Sequence, residues 1–306
     1  MIGARNQKKG PGFFKRFWAV RNLYIFFMPY MLLFLLFTVV PVVMSIGLSF
    51  TSFNVLQPPS FIWFNNYIRL FANDSIFTKA LLNTLVLAVV AGPGGFVISY
   101  VFAWFINELS PKLRSVMTLV FYAPSISGNA YLIWTLLFNG DANGYVNAWL
   151  IRFGFITDPI QFMTNETYMM PILISVILWT SLGTGFLSFV AGFQGIDRTM
   201  YEAGAVEGIS NRWQELWYIT LPSMRPQLMF GAVMSITGAF GVGAVVTGLF
   251  GFPSQNYALH TIATHLEDYG SIRFEMGYAS AIATVLFLLT IGCNSIISRM
   301  LSKVGG

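Results

Sequence analysis

Six stretches of at least 23 residues without a single Lys, Arg, Asp or Glu divide this chain of 306 residues, and they limit its fold more than any other feature. They lie between Arg21 and Arg69, Lys79 and Glu108, Arg114 and Asp141, Glu166 and Asp197, Arg225 and Glu267, and Glu275 and Arg299. A bilayer core about 30 Å thick needs roughly 20 apolar residues per helical crossing. Only 9% of the residues are charged, against about 25% in soluble domains, too few to cover a water-facing surface. The pattern predicts an all-α membrane protein with about six spans, near 24–50, 80–107, 116–138, 169–193, 226–249 and 278–299. The first run exceeds the 7–15 residues of a signal-peptide core and five more follow, so it reads as an uncleaved helix, bent near Pro29 or Pro41.

The charges between the spans give an orientation. Six spans put the N-terminus, the loops 108–115 and 194–225, and the C-terminus on one side. That side holds 13 of the 17 basic residues, Lys8, Lys9, Lys15, Arg16 and Arg21 among them, against five acidic ones. The other side has four basic and seven acidic residues. An excess of Lys and Arg marks the cytoplasmic side, so both termini are expected there, with 1–23 as a cytoplasmic segment and 24–306 as the membrane domain of a multi-pass plasma-membrane protein. Clustering at span ends is a topology signal, and it argues against a nucleic-acid surface despite the net charge of +5.

No charged residue sits deep in any span. Proton relays, ion paths and voltage sensors rely on such residues, so proton-coupled transport and voltage gating are disfavoured. Ser, Thr, Asn and Tyr are the polar groups within spans; they suit a neutral, hydroxyl-rich solute and also join helices together.

The segment 194–225 is too structured for a linker. Thr199 and Glu202 have capping-box spacing and open a short helix, which Gly208 can end. Ser210 or Asn211 can cap a second helix, where Trp213, Leu216, Trp217 and Leu221 recur at helical spacing. Two short helices around a glycine turn make a bracket. It can dock into a groove on a soluble partner or lie at the membrane surface.

Glu202-Ala-Gly-Ala-Val-Glu-Gly208, followed by Ile219-Thr-Leu-Pro222, resembles the EAA loop of ABC importer permeases, with Gly204 in place of an alanine and Glu207 in place of an aspartate. Pro41 to Phe53, Asn66-Tyr67, Ala80 to Leu85 and Gly277 to Ala281 resemble the first permease of bacterial carbohydrate ABC importers, the maltose-transporter type, without its extra N-terminal helices and large periplasmic insertion. The resemblance implies the type I importer permease fold. It implies coupling through Glu202, Ala203, Gly204, Glu207, Gly208, Leu221 and Pro222 to an ABC ATPase dimer that carries ATP and Mg. A second permease and an extracytoplasmic sugar-binding protein would complete the assembly within membrane lipid. It also places Ser127, Thr180, Ser181, Thr184 and Ser235 near the substrate path, with Tyr122, Trp179 and Phe240 as aromatic neighbours; helix packing is an equal role for each. The outer loops 51–79, 139–168 and 250–277 are too short for a receptor domain, and their acidic residues are expected to help dock the binding protein.

The chain has no G-x-x-x-x-G-K-[ST] sequence for binding nucleotide phosphates, so ATP hydrolysis is expected in another subunit and no cofactor in this one. Gly92-Pro-Gly-Gly95 lies inside an apolar span and suits a kink or close packing, as Gly238, Gly241 and Gly243 do in the fifth span. His260 and His265 could contribute to a zinc site, but a hydrogen-bonded or solvent-facing pair is the favoured reading, and no metal is expected. The single Cys293 excludes an intrachain disulfide. Three other readings compete with a sugar importer: a permease for glycerol phosphate or oligopeptides, a channel, and a membrane-embedded enzyme. An anionic solute calls for a cation in the spans, the enzyme for convergent acid–base groups, and the channel leaves the bracket unexplained.

Overall fold

A computed structural model describes residues 21–301. The basic residues Lys8, Lys9, Lys15 and Arg16, and with them most of the expected N-terminal segment, lie outside the described residues. The first apolar run forms α1 (Arg21–Phe34) and α2 (Val40–Leu48), joined by a π-turn at Leu35–Val39. The span runs as one helix from Tyr24 to Leu48, and a π-turn stands where a bend near Pro41 was expected. The Val40 N–H donates to the Leu35 carbonyl, five residues back, and the wider turn makes room for the ring of Pro41.

A short antiparallel hairpin follows, β1 (Thr51–Ser52) with β2 (Ser60–Phe61), then α3 (Asn65–Ile68) and a π-turn at Arg69–Asn73. Asn66 is buried, and its amide donates to the carbonyls of Ser49 and Thr51 at 2.8 and 2.9 Å. It thereby satisfies carbonyls that the end of α2 leaves open. The second span is α4 (Ser75–Asn107), 33 residues that run through Pro93 without a break.

The third, fourth and fifth spans are broken, which corrects the uninterrupted spans expected for them. α5 (Pro111–Ile126) turns by 87° into a segment that begins with a 3₁₀ turn and ends in α6 (Ile133–Leu137). α7 (Tyr145–Arg152) lies between the third and fourth spans. α8 (Glu166–Thr180) meets α9 (Thr184–Gln194) at 42°. The bracket comprises α10 (Arg198–Val206), α11 (Arg212–Glu215), a π-turn at Leu216–Thr220 and α12 (Leu221–Ser223). α13 (Arg225–Phe240) then meets α14 (Gly243–Phe250) at 45°. α15 (Ile262–Glu267) and α16 (Met276–Leu301) complete the described chain.

α4 is the central helix, packed by α8, α9 and α13; α16 lies against α13 and α2. Phe186 and Phe189 of α9 meet Tyr100 and Ala103 of α4 in the largest apolar cluster. A second cluster joins Leu70, Phe77, Ile262 and Ile282 at the hairpin end of the bundle. Gly94 and Gly95 of α4 serve contact with the end of α8: a Cβ on either would lie 2.9 Å from Leu178 Cδ2 or Ser181 Cβ, while Gly92 faces Ile236 of α13. Outside these clusters the helices present large apolar side chains, among them Leu82, Val89, Val97 and Leu119. Such a surface suits acyl chains and not water. The first span is the extreme case, with no buried residue in its most apolar window.

Candidate functional site: a cavity at the broken spans and an exposed bracket

The breaks of the fourth and fifth spans face each other. Between them lies a cavity of about 230 Å³ that reaches Ala91 on α4. Thr180, Ser181, Gly183 and Thr184 line it from the fourth span, and Ser235, Gly238, Gly241 and Val242 from the fifth. A helix that breaks at membrane depth leaves backbone groups without intrahelical partners, which protein or water must satisfy. The break of the third span is close by, with Ser125 Cβ 3.5 Å from where a Cβ of Gly183 would be.

The hydroxyls in the cavity are of two kinds. Thr180 Oγ1 donates back to the Val176 carbonyl at 3.0 Å and Ser181 Oγ to the Leu178 carbonyl at 2.7 Å. The hydroxyls of Thr184 and Ser235 have no hydrogen-bond partner among the described residues, so both are free to bind a solute. No Lys, Arg, Asp or Glu lines the cavity.

Thr180, Ser181, Thr184 and Ser235 thus come together in one cavity, and the other four expected residues lie elsewhere. Ser127 is exposed at the end of α5, its hydroxyl donating to the Ala123 carbonyl at 2.7 Å. Tyr122 packs on the aromatic cluster around Phe186 and Phe189. Trp179 meets Trp134 edge to face at 5.8 Å. Phe240 is buried with Ala88 and Ile236 against Leu286 and Leu289 of α16. Lining residues that sequence reasoning did not single out for the path include Ala91, Ile177, Gly183, Met234 and Val245; the signal at Gly183 was a glycine inside an apolar run.

The bracket is built from local capping. Asp197, and not Thr199, caps α10: its carboxylate accepts from the Thr199 N–H at 3.0 Å. That bond holds the Asp197 carboxyl below its ordinary range. α10 ends at Gly208, where φ is +97°, a value that favours glycine. The Ile209 N–H donates to the Gly204 carbonyl and the Gly208 N–H to the Ala205 carbonyl, the pairing of a Schellman motif. Asn211 caps the second arm by accepting from the Gln214 N–H at 2.9 Å.

The two arms meet at Gly204. A Cβ there would come within 2.7 Å of Ile219 Cδ1 and 3.1 Å of Ile209 Cδ1. Tyr201 and Thr220 join their hydroxyls across the same contact at 3.0 Å. Of the expected helical row, Leu216 turns inward while Trp213 and Trp217 are exposed and Leu221 is half-buried. The π-turn before Pro222 inserts a residue and rotates the later positions, so Ile219 and Thr220 are buried instead. Glu202, Ala203, Glu207, Gly208 and Pro222 are exposed, and Val206 is 89% exposed at the tip.

His260 and His265 form a buried pair, with His260 Nε2 3.1 Å from His265 Nδ1. This is the hydrogen-bonded alternative to a metal site.

Residues 95–303 match the family described as the binding-protein-dependent transport system inner membrane component. The chain belongs to that family. This permease is 31% identical over 272 residues to the probable ABC transporter permease protein YesP of Bacillus subtilis, covering 87% of this chain and 85% of that one. It is 30% identical over 287 residues to the arabinooligosaccharides transport system permease protein AraP of the same organism, covering 91% and 88%. A chain of a bacterial alginate ABC transporter, solved in complex with an alginate pentasaccharide-bound periplasmic protein, superposes with a TM-score of 0.77 at 24% identity, over 96% of this chain and 99% of that one. The fold is therefore that of ABC importer permeases. The permease is a multi-pass component of an inner membrane and of a binding-protein-dependent transport system, a transport subunit and not an enzyme.

Proposed function

We propose that this permease forms half of the translocation path of an ATP-driven importer of neutral oligosaccharides, with its bracket in the cytosol. The observation that carries the reading is the uncharged cavity where two broken spans meet, furnished with the free hydroxyls of Thr184 and Ser235. A sugar needs hydroxyl partners and no counter-ion there. An anionic solute would call for a cation in the path, and none lines it. The names of the relatives, which include permeases for arabino-oligosaccharides and lactose, support a carbohydrate.

A second permease subunit supplies the other half of the path. A separate ABC ATPase dimer holds ATP and Mg, and an extracytoplasmic binding protein delivers the sugar. Glu202, Ala203, Glu207 and Gly208 present the docking face of α10 to the ATPase, while Gly204, Leu221 and Pro222 fix the shape of the bracket behind it. The excess of basic residues on the bracket side of the spans supports a cytoplasmic position for that side and for both termini.

The test is reconstitution of the chain with a second permease, the ATPase pair and a binding protein in vesicles. Labelled neutral oligosaccharides should accumulate only with ATP and all partners present. Uptake by the chain alone, indifferent to ATP, would end the proposal. In the double variant Glu202→Ala with Gly208→Leu, the ATPase should dissociate while insertion into the membrane persists; normal copurification and transport would remove the docking role.

A further inference from the structure

The second arm of the bracket is fastened to the end of the central helix as well as to the fifth span that follows it. Arg212 Nη2 lies 3.2 Å from Glu108 Oε2 at the end of α4, while Arg212 Nη1 holds Glu215 Oε2 at 2.9 Å. One helical turn before Glu108, Trp104 meets Trp213 edge to face at 5.4 Å. Leu216 is buried in the same apolar cluster as Ala103 and Ile106 of α4. Beside this seam a cleft of about 490 Å³ separates the rest of the bracket from the bundle. The contact is therefore a local fastening and not a broad interface.

α4 differs in kind from the other helices that border the cavity. The fourth and fifth spans are both broken there, by 42° and 45°. α4 continues for 33 residues, about 50 Å at the rise of an α-helix. A broken helix absorbs displacement at its break, whereas a continuous one delivers it along its length. Midway along α4, Ala91 lines the cavity and Gly94 and Gly95 press on Leu178 and Ser181 at the end of α8. One uninterrupted helix thus runs from the bracket to the broken spans, the kind of contiguous packed route along which two sites can be coupled.

We propose that Arg212 and Trp213 are positioning residues: they form a strut through which movement of the bracket is delivered to Glu108 and Trp104, and along α4 to the cavity. This deepens the reading of the chain as an ATP-coupled permease and rests on it. The fifth span, continuous in sequence with the bracket, yields at its own break, and the strut supplies the stiff route.

The assembled transporter in vesicles tests this through sugar taken up per ATP hydrolysed. With Glu108→Gln and Trp213→Ala combined, the ratio should fall by about threefold or more, the scale of coupling carried by residues that touch neither ligand. Cysteines at Glu108 and Arg212, in a Cys293→Ser background and joined by a bifunctional thiol reagent, should restore the ratio that the unjoined pair lacks. Two results would overturn the strut: a wild-type ratio in the Glu108→Gln, Trp213→Ala variant, or loss of uptake on joining the cysteines while ATP hydrolysis continues, since the arm would then have to leave α4 in each cycle. Absence of ATP-driven uptake in the unmodified assembly would instead remove the functional reading beneath it.

Discussion

His265 Nε2 lies 3.1 Å from Asp74 Oδ2, a contact between residues 191 apart that ties α15 to the start of the central helix. Asp74 is the cap of α4, accepting from the Phe77 N–H at 2.8 Å, and its second oxygen also accepts from the Tyr278 hydroxyl at 2.8 Å. His265 passes the chain on to His260, whose ring meets Thr264 Oγ1 at 3.3 Å. The contacts of His265 with Asp74 and with His260 are met with both rings neutral, His265 donating to Asp74 and His260 donating to His265. Burial pushes Asp74 up, but the bonds from Phe77 and Tyr278 outweigh it and hold the carboxyl below its ordinary value.

Acid should loosen this end of the bundle. Burial, and next the neighbouring His265, push His260 from 6.5 down to about 4. Burial also lowers His265, against the pull of Asp74 and Asp268. Both rings remain neutral when folded and take up a proton below 6.5 when unfolded. Their stabilisation is complete above pH 6.5 and is lost as pH falls from there towards 4. The loss from His260 is on the order of 2–3 kcal/mol. Thermal unfolding in nanodiscs between pH 7.5 and 4.5 should show a falling Tm, and replacing both histidines by glutamine should flatten the profile. A Tm independent of pH in the unmodified chain would contradict the neutral pair.

Restoring the family's alanine at position 204 should harm the bracket. Alanine favours a helix over glycine by about 1 kcal/mol, but its Cβ would meet Ile219 Cδ1 at 2.7 Å. Overpacking of this kind costs about 1–3 kcal/mol. Gly204→Ala alone should speed protease cleavage in 194–225. Adding Ile219→Val, which removes the offending methyl, should reverse the effect. Slower cleavage in Gly204→Ala alone would show that the contact relaxes freely.

The free hydroxyls of the cavity should govern sugar affinity. Thr184→Val and Ser235→Ala should each raise the half-saturating sugar concentration about two- to tenfold, the worth of one neutral hydrogen bond. Ser235→Trp, which fills the cavity between the broken spans, should stop uptake in vesicles without loss of ATPase assembly. Unaltered uptake in the tryptophan variant would place the path elsewhere.

Asn66→Ala should leave the carbonyls of Ser49 and Thr51 without their side-chain donor. Buried polar groups stripped of a partner cost about 1–3 kcal/mol. A lower Tm with unchanged copurification of the ATPase is expected, because the bracket lies at the opposite end of the bundle; a wild-type Tm would mean that water replaces the amide.

The charge-free runs made the helices legible, because a bilayer admits few other structures. The bracket was legible for a local reason: a glycine that must take a positive φ and polar side chains that cap helix ends are written within a few residues. The breaks were harder. Hydropathy hardly changes through Ser181-Leu182-Gly183 or Gly241-Val242, so a count of apolar residues passes over both. The third break carries a plainer mark, Ser127-Gly128-Asn129, a turn-forming trio inside an apolar run. The exposure of Trp217 could not be read from helical spacing, since the π-turn at Leu216–Thr220 changes the period. Phe240 went to the core because an aromatic at a helix junction serves packing as readily as it serves a sugar, and only the α16 contacts decide between them.

The bare first helix sets a rule for where damage can be seen. No residue of the segment from Tyr24 to Leu48 is buried, and apart from the contact of α2 with α16 the segment owes its place to acyl chains or to another protein. A polar substitution on its outer faces, such as one at Phe26 or Phe37, therefore leaves the unfolding of the isolated subunit in detergent nearly untouched. The same change registers in the bilayer, or in company, where something must lie against the helix.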